Sequence, residues 1–462
     1  MIYRVYGFIH KIAKHILRQN YKKHIKYIFF SPVTDTIKEY KILFLPFKQK
    51  QFINDFFIDK TQTKVFAKTD LFPIENIVST SVRLPKIVKH HKQPIKKSNT
   101  ISDFYSAWHD FITSSLIPNG WRYAGFHYAG YIWEKQTWCL PSWIWTNAAL
   151  ARCYFTLGET NLGIELANLF ISHQLPEGGW LVRFDIDKDG PIPVIAPNDS
   201  AYIATNALLT AYTATSDKRF LVSAEKTAHW IIDTVSQNGL VWLGYDLRHK
   251  QWIKNYNIAD IGFTSALFAH LYQLIGDNKY LCFLRRFVSA YLNTFYNKKT
   301  KCFATAVDEH GNQIGGYFGR GQAWALEGLI PAYMVLKEDY LSKIINDLVE
   351  FLLNRQNRNG SWPYNFKNYL MGEDCKGTPV IAYNLLQWYK YNGQKDYRII
   401  NAVQKALHWC KKHTCLTGEA RGGIFSYTIE GAIVHSLYSS TAFTYSSAYA
   451  IEVFKDLQRM NR

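Results

Sequence analysis

The chain has 462 residues, 48% hydrophobic and 19% charged, a composition that excludes a disordered chain and allows a sizeable buried core. It contains no run of about 18 consecutive apolar residues, so no helix is expected to span a membrane. Its seven cysteines are irregularly spaced and form no C-x-x-C pair, which argues against a disulfide framework and for reduced thiols in a cytoplasmic protein.

The net charge of +18 is unevenly spread. Residues 1–100 carry 20 Lys and Arg against 6 Asp and Glu, whereas residues 101–462 carry 34 against 30. All 14 Trp and 26 of the 27 Gly also follow residue 100. Two regions are therefore expected: a basic N-terminal region, 1–100, and a body, 101–462, divided after the run KIVKHHKQPIKKSNT. Within the first, IHKIAKHILRQNYKKHIKYIFF (9–30) sets Ile9, Ile12, Ala13, Ile16 and Leu17 on one helical face, flanked by Lys11, Lys14, His15 and Arg18. Such a helix either packs on the body or lies peripherally on an anionic membrane surface. The opening residues show no secretory-signal pattern, and the basic region shows none of the common nucleic-acid-binding motifs.

The body is rhythmic. Helix-like stretches begin near Ser142, Asp199, Asp260, Gly321, Thr378 and Ser440, at intervals of 57, 61, 61, 57 and 62 residues. Each ends in a turn, such as TSDKRF (215–220) or IGDNKY (275–280), that leads straight into a second helix. In YLSKIINDLVEFLLNRQ, for example, Ile344, Leu348, Phe351 and Leu352 recur at helical spacing. A loop rich in Gly and Trp then returns to the next pair. Two copies, Gln174-LPEGG-Trp180 and Gln356-NRNGS-Trp362, have matched spacing. A repeat of about sixty residues is the mark of stacked supersecondary units. Six first helices leave one second helix missing, and ISDFYSAWHDFITSSL (101–116) supplies it from the other end. The expected fold is all-α, an (α/α)6 barrel of six helical hairpins. Its six inner helices point the same way and gather their N-termini at one mouth, the default ligand site.

The inner-helix starts read Ser142-Trp143, Asn198-Asp199, Ala259-Asp260, Arg320-Gly321-Gln322-Ala323-Trp324, Gly377-Thr378 and Ser439-Ser440. An Asp at such a place is often only an N-cap, although Asn198 can cap in place of Asp199. An arginine is disfavoured there by the positive end of the helix dipole. GYFGRGQAWALEGL (316–329) therefore needs a reason for Arg320. One reason is an ion pair with a loop acid such as Asp308 or Glu309. The other is capture of an anionic ligand by the planar guanidinium. Trp324, one turn on, offers either core packing or a flat face beside that anion. The chain has no Asp-Asp pair, no H-E-x-x-H and no assembled Cys/His set, and DIDKDG (185–190) lacks the Glu that would complete a calcium loop. Neither a metal nor a cofactor is expected.

GRGQAWALEGL resembles the R-G-Q-A-W segment of unsaturated glucuronyl hydrolases, and of the related unsaturated rhamnogalacturonyl hydrolases with R-G-N, both six-hairpin glycosidases. The likeness extends loosely over 101–462. In that family two aspartates open the inner helices before the arginine, which implies Asp260 as general acid/base and Asp199 as its assistant. It further implies Arg320, Gln322, Trp324 and Trp143 as substrate contacts, and His310 as the histidine of the loop before the arginine. The implied reaction hydrates a 4,5-unsaturated uronic acid left by a polysaccharide lyase: a carboxylic acid protonates C4, water adds at C5 and the hemiketal opens. The implied partner is an acidic oligo- or polysaccharide. An alternative expectation keeps the fold and places the chain in capsule or exopolysaccharide biosynthesis, as a uronyl epimerase or a non-catalytic glycan binder.

Overall fold

The computed structural model describes residues 101–460, apart from 121–122, 133–136, 139–141, 185–193, 235–237, 255, 309, 315, 368–372, 394 and 426–440. The basic region, its amphipathic stretch 9–30, the proposed boundary and DIDKDG lie outside the described residues.

The helices follow the repeat. Helix α1 is Ile101–Ser114. The first hairpin is α2, Ile144–Leu157, with α3, Thr160–His173. Next, α4 runs continuously through Pro197–Ile203, a π-helical stretch Ala204–Leu209 and Thr210–Thr215, and is followed by α5, Lys218–Asp233. A 3-10 turn, Ala259–Phe263, opens α6, Thr264–Ile275, before α7, Asn278–Phe295. Then come α8, Gly319–Leu336, and α9, Asp339–Asn354, with α10, Gly377–Tyr391, and α11, Tyr397–Lys412. The last is α12, Thr444–Met460.

The even-numbered helices pack side by side, α12 returns to α2, and the inner ring is closed. Helix α1 lies against α12 and supplies the missing outer partner, where Trp108 Nε1 donates to Thr414 Oγ1 at 2.8 Å. The (α/α)6 toroid is thus the fold of residues 101–460.

Local chemistry explains the repeat. In three of the turns an Asp caps the outer helix: the side chains of Asp217, Asp277 and Asp396 accept from the backbone N–H of Arg219, Lys279 and Arg398. The two Gln-x5-Trp loops make the same bonds. Gln174 Nε2 donates to Gly178 O and, across to α5, to Ser223 O, while Trp180 Nε1 donates back to Phe170 O. Gln356 Nε2 likewise donates to Gly360 O and to Ala402 O of α11, and Trp362 Nε1 to Leu352 O. Each loop therefore locks its own outer helix to the next one. Gly178 and Gly360 adopt φ of 115° and 98°, and a Cβ there would stand 2.7 Å from Lys226 O and 2.1 Å from Lys405 O. Only glycine satisfies both the dihedral and the approach.

Short strands precede the inner helices and wall the mouth. Val194–Ile195, just before α4, pairs antiparallel with Gly244–Asp246. Tyr256–Ile258, just before the 3-10 turn, pairs with Ala306–Asp308. Below the mouth the inner ring is filled by aromatic side chains: the Phe263 ring lies 4.6 Å from Trp324 and 4.7 Å from Tyr202, and Trp145 is 5.9 Å from Trp324.

Candidate active site

Two carboxylates and an arginine stand in the first turns of three consecutive inner helices. Asp199 lies on the first turn of α4, behind Pro197 at a position where a missing N–H costs nothing. Asp260 lies on the 3-10 turn that opens α6. Neither is a cap, because the capping positions are Ala196 and Ile258 and no side-chain cap bond is made. The turn that carries Asp260 is pinned by Tyr291, whose hydroxyl donates to Ala259 O at 2.8 Å. Helix α8 packs tightly on that turn: a Cβ on Gly328 would stand 2.0 Å from Gly262 O. This close approach sets Arg320 beside Asp260.

Electrostatics ties the three groups together. Burial, reinforced by the charge of Asp260, pushes Asp199 up to about 8. Burial also pushes Asp260 up to about 6, against the opposing pull of Arg320. Because Asp199 feels the charge of Asp260, the two carboxyl groups titrate as a coupled pair. Asn198 Nδ2 donates to Asp199 Oδ1 at 3.2 Å. Three further side-chain oxygens at inner-helix starts, Asn198 Oδ1, Thr264 Oγ1 and Ser446 Oγ, are buried without a hydrogen-bond partner among the described residues.

Arg320 has an ion-pair partner, and it is not one expected from sequence. Its Nε lies 3.1 Å from Asp374 Oδ2, a carboxylate with only 2% of its side chain exposed. Asp308 instead serves its own turn, accepting from the backbone N–H of His310 and Asn312. The Arg320 Nη1 reaches the Tyr445 hydroxyl at a long 3.5 Å, and its guanidinium carbon lies 5.7 Å from the Tyr364 ring. No partner for Nη2 is found among the described residues. Asp374 and Tyr445 went unread in the sequence. The one available signal was that Asp374 caps the approach to α10, accepting from Lys376 N at 2.9 Å, one turn before the helix start noted there.

The other expected contacts divide. Trp324, 2% exposed, belongs to the aromatic layer beneath the carboxylates. Gln322 does not face a ligand: it is fully buried, its Oε1 accepts from Phe303 N at 2.7 Å, and its Nε2 donates to Phe303 O and Phe318 O. Both ends of the amide are spent on holding the strand Cys302–Phe303 to α8. His310 is exposed in the turn that follows Asp308 and is not assembled with the carboxylates. Trp143 lies in the strand Ser142–Trp143, paired with Arg183–Phe184 immediately before α2. Among the described residues no cluster of His, Cys, Asp and Glu is arranged to hold a metal ion, and no helix is long and apolar enough to cross a membrane.

Known proteins share this frame. The unsaturated glucuronyl hydrolase from Bacillus sp. GL1, described as responsible for the degradation of glycosaminoglycan, aligns with a TM-score of 0.61 at 14% identity, over 78% of this chain and 97% of its own. A protein of Salmonella enterica described as a possible member of the GH105 family aligns at 0.57 and 13% identity, over 80% and 100%. Cellobiose 2-epimerase from Bacillus thermoamylovorans aligns at 0.62 and 12% identity, over 77% and 99%. At such identities the likeness is one of fold, and the fold carries several chemistries. Comparison with curated proteins finds no match. The profile of Glycosyl Hydrolase Family 88, however, matches residues 136–454, more than half of the sequence. The chain belongs to Glycosyl Hydrolase Family 88 and is a glycoside hydrolase.

Proposed function

We propose that the protein is an unsaturated uronyl hydrolase, adding water across the C4–C5 double bond at the non-reducing end of lyase-generated acidic oligosaccharides. The observation that carries this reading is the trio at the mouth: two buried carboxyl groups with raised pKa beside an arginine incompletely coordinated by its own chain. Arg320 receives the sugar carboxylate on its Nη edge while the Asp374 carboxylate, 3.1 Å from Nε, pairs with its charge from the other side. Asp260, in its protonated form, gives its proton to C4. The positive charge that develops at C5 is taken by water, whose proton returns to the Asp260 carboxylate. The resulting hemiketal opens, C5 becomes a ketone, and the aglycone leaves from C1. Asp199, pushed up to about 8, stays protonated wherever Asp260 is protonated and presents no second negative charge beside the catalyst. One carboxyl thus acts as acid and then as base, unlike the two carboxylates of ordinary glycosidases. Trp324 supports the site from the aromatic layer beneath the carboxylates, and Gln322 and His310 have no part in this reading.

The test is optical. The conjugated double bond absorbs in the ultraviolet, and hydration destroys that absorbance. Lyase-digested pectin or glycosaminoglycan should be bleached by the protein with release of a reducing sugar, and saturated fragments of the same glycans should survive. Cleavage of saturated fragments, or no bleaching across the panel, overturns the reading.

A further inference from the structure

The toroid has a second opening. A cavity of about 740 Å³ lies between the C-terminal halves of α4, α6, α8 and α10, lined near its rim by Thr213, Ala214, Leu274, Met334, Gln387 and Tyr391. None of Asp199, Asp260 and Arg320 borders it. Its floor is a fully bonded ionic group. Arg152 Nε and Nη2 donate to the two oxygens of Glu452, each at 2.9 Å, and Nη1 donates to Glu327 at 2.9 Å. The floor and the aromatic layer of Tyr202, Phe263 and Trp324 separate this cavity from the mouth.

Two departures from α-helical bonding face the same space. The π-helical stretch Ala204–Leu209 contributes Thr205, Asn206 and Leu209 to the wall, and such stretches often mark functional sites. Pro331 of α8 also lines the cavity and has no N–H, so the carbonyl of Glu327, four residues back, loses its helical donor. Side chains add to this supply of acceptors. Asn384 Nδ2 is used by Glu327 and Val380 O, and Gln387 Nε2 by Asp456, which leaves Asn384 Oδ1 and Gln387 Oε1 without partners among the described residues. The Tyr383 hydroxyl has none either, and the three residues share one face of α10.

We propose that this rear cavity is a second ligand site, for a neutral saccharide of one or two rings. The acceptors Asn384 Oδ1 and Gln387 Oε1 stand in the same wall as donors such as Lys390 and the Tyr383 hydroxyl, a mixture that sugar hydroxyls, which both donate and accept, can satisfy. Tyr383, Tyr391, Leu209 and Met334 offer apolar faces to the C–H face of a sugar ring. The charged groups at or just behind the wall are Arg152, Lys390 and Arg459 against Glu327, Glu452 and Asp456, which balance, and burial holds the pKa of the lining His270 down. The rear wall therefore suits a neutral sugar. The inference stands apart from the reaction assigned to the mouth.

The experiment titrates glucose, maltose and lactose into the full-length protein by calorimetry. Saturable binding of at least one is expected, unchanged in Asp260→Asn. Ala214 is exposed on the rim, so Ala214→Trp should fold normally, close the entrance, abolish the binding and leave the bleaching of unsaturated fragments untouched. Gln387→Leu, which removes one acceptor, should weaken it by roughly threefold to tenfold. Absence of saturable binding by all three sugars overturns the proposal. So does binding that survives both rear variants or disappears in Asp260→Asn.

Discussion

Two arginines are buried in the inner ring, and their surroundings differ. Arg152, in the middle of α2, is bonded to Glu452 through two nitrogens, to Glu327 and, at 2.6 Å, to Asn206, with the rings of Tyr383 and Tyr449 4.5 and 4.7 Å from its guanidinium. Tyr449 in turn donates to both oxygens of Glu327. Arg320, at the start of α8, has one carboxylate on Nε and one long contact on Nη1. A guanidinium has five N–H donors, and burial without partners is costly. The first arginine is satisfied by its own chain and belongs to the scaffold. The second is paired with one carboxylate and keeps donors without partners among the described residues, which is what the proposed anion-binding role requires.

Substitution should separate the two roles. Arg152→Met leaves Glu452 and Glu327 buried without their cation, and should cost about 3–5 kcal/mol of stability, read from denaturant midpoints. Stability unchanged within error would mean that the floor is not built on this ion group. Arg320→Lys keeps the charge but loses the planar edge, and should raise KM by about tenfold to a hundredfold with little change in unfolding. A normal KM with lowered stability would place Arg320 with Arg152 in the scaffold.

The carboxyl pair sharpens the contrast through pH. Activity that requires protonated Asp260 should fall as pH rises through about 6. Asp199 keeps in the folded chain a proton that the unfolded chain releases near the usual 3.8, so its contribution to stability is full below that value and is lost as pH rises to about 8. Asp199→Asn should therefore match the wild type near pH 4 and exceed it near pH 8.5, by on the order of 5 kcal/mol at about 1.4 kcal/mol per pH unit, while turning over more slowly. Parallel stability curves for the two proteins would refute the burial of that charge. The smallest effect is expected in the outer layer, where Gln356→Leu removes the bridge between α9 and α11 and should cost about 1 kcal/mol with catalysis intact.

The hairpin repeat was legible because its causes are local. Helical periodicity, Asp caps such as Asp217 and the paired Gln-x5-Trp loops act within one repeat or between neighbours. The candidate residues Asp199, Asp260 and Arg320 were legible as inner-helix starts for the same reason of locality. Long-range partnerships do not show in local pattern. Asp374 sits in an aperiodic loop far along the chain from Arg320, and Phe303, which claims Gln322, lies on the strand before α8. His310 was singled out by closeness in sequence, yet it sits exposed in its own turn. The rear cavity is built from the C-terminal halves of four inner helices, and no motif marked it.

The central claim is that Asp260 protonates C4 of an unsaturated uronate at the mouth. It is tested most directly by running the reaction in deuterated water and locating the label by mass spectrometry and NMR. The wild type should release a keto-uronate with one deuterium at C4, and Asp260→Asn should give no labelled product. Cleavage without label at C4 would place the attack at the anomeric carbon, and deuterium at C5 of an intact saturated uronate would make the protein an epimerase. Either result would remove Asp260 from the role of C4 acid.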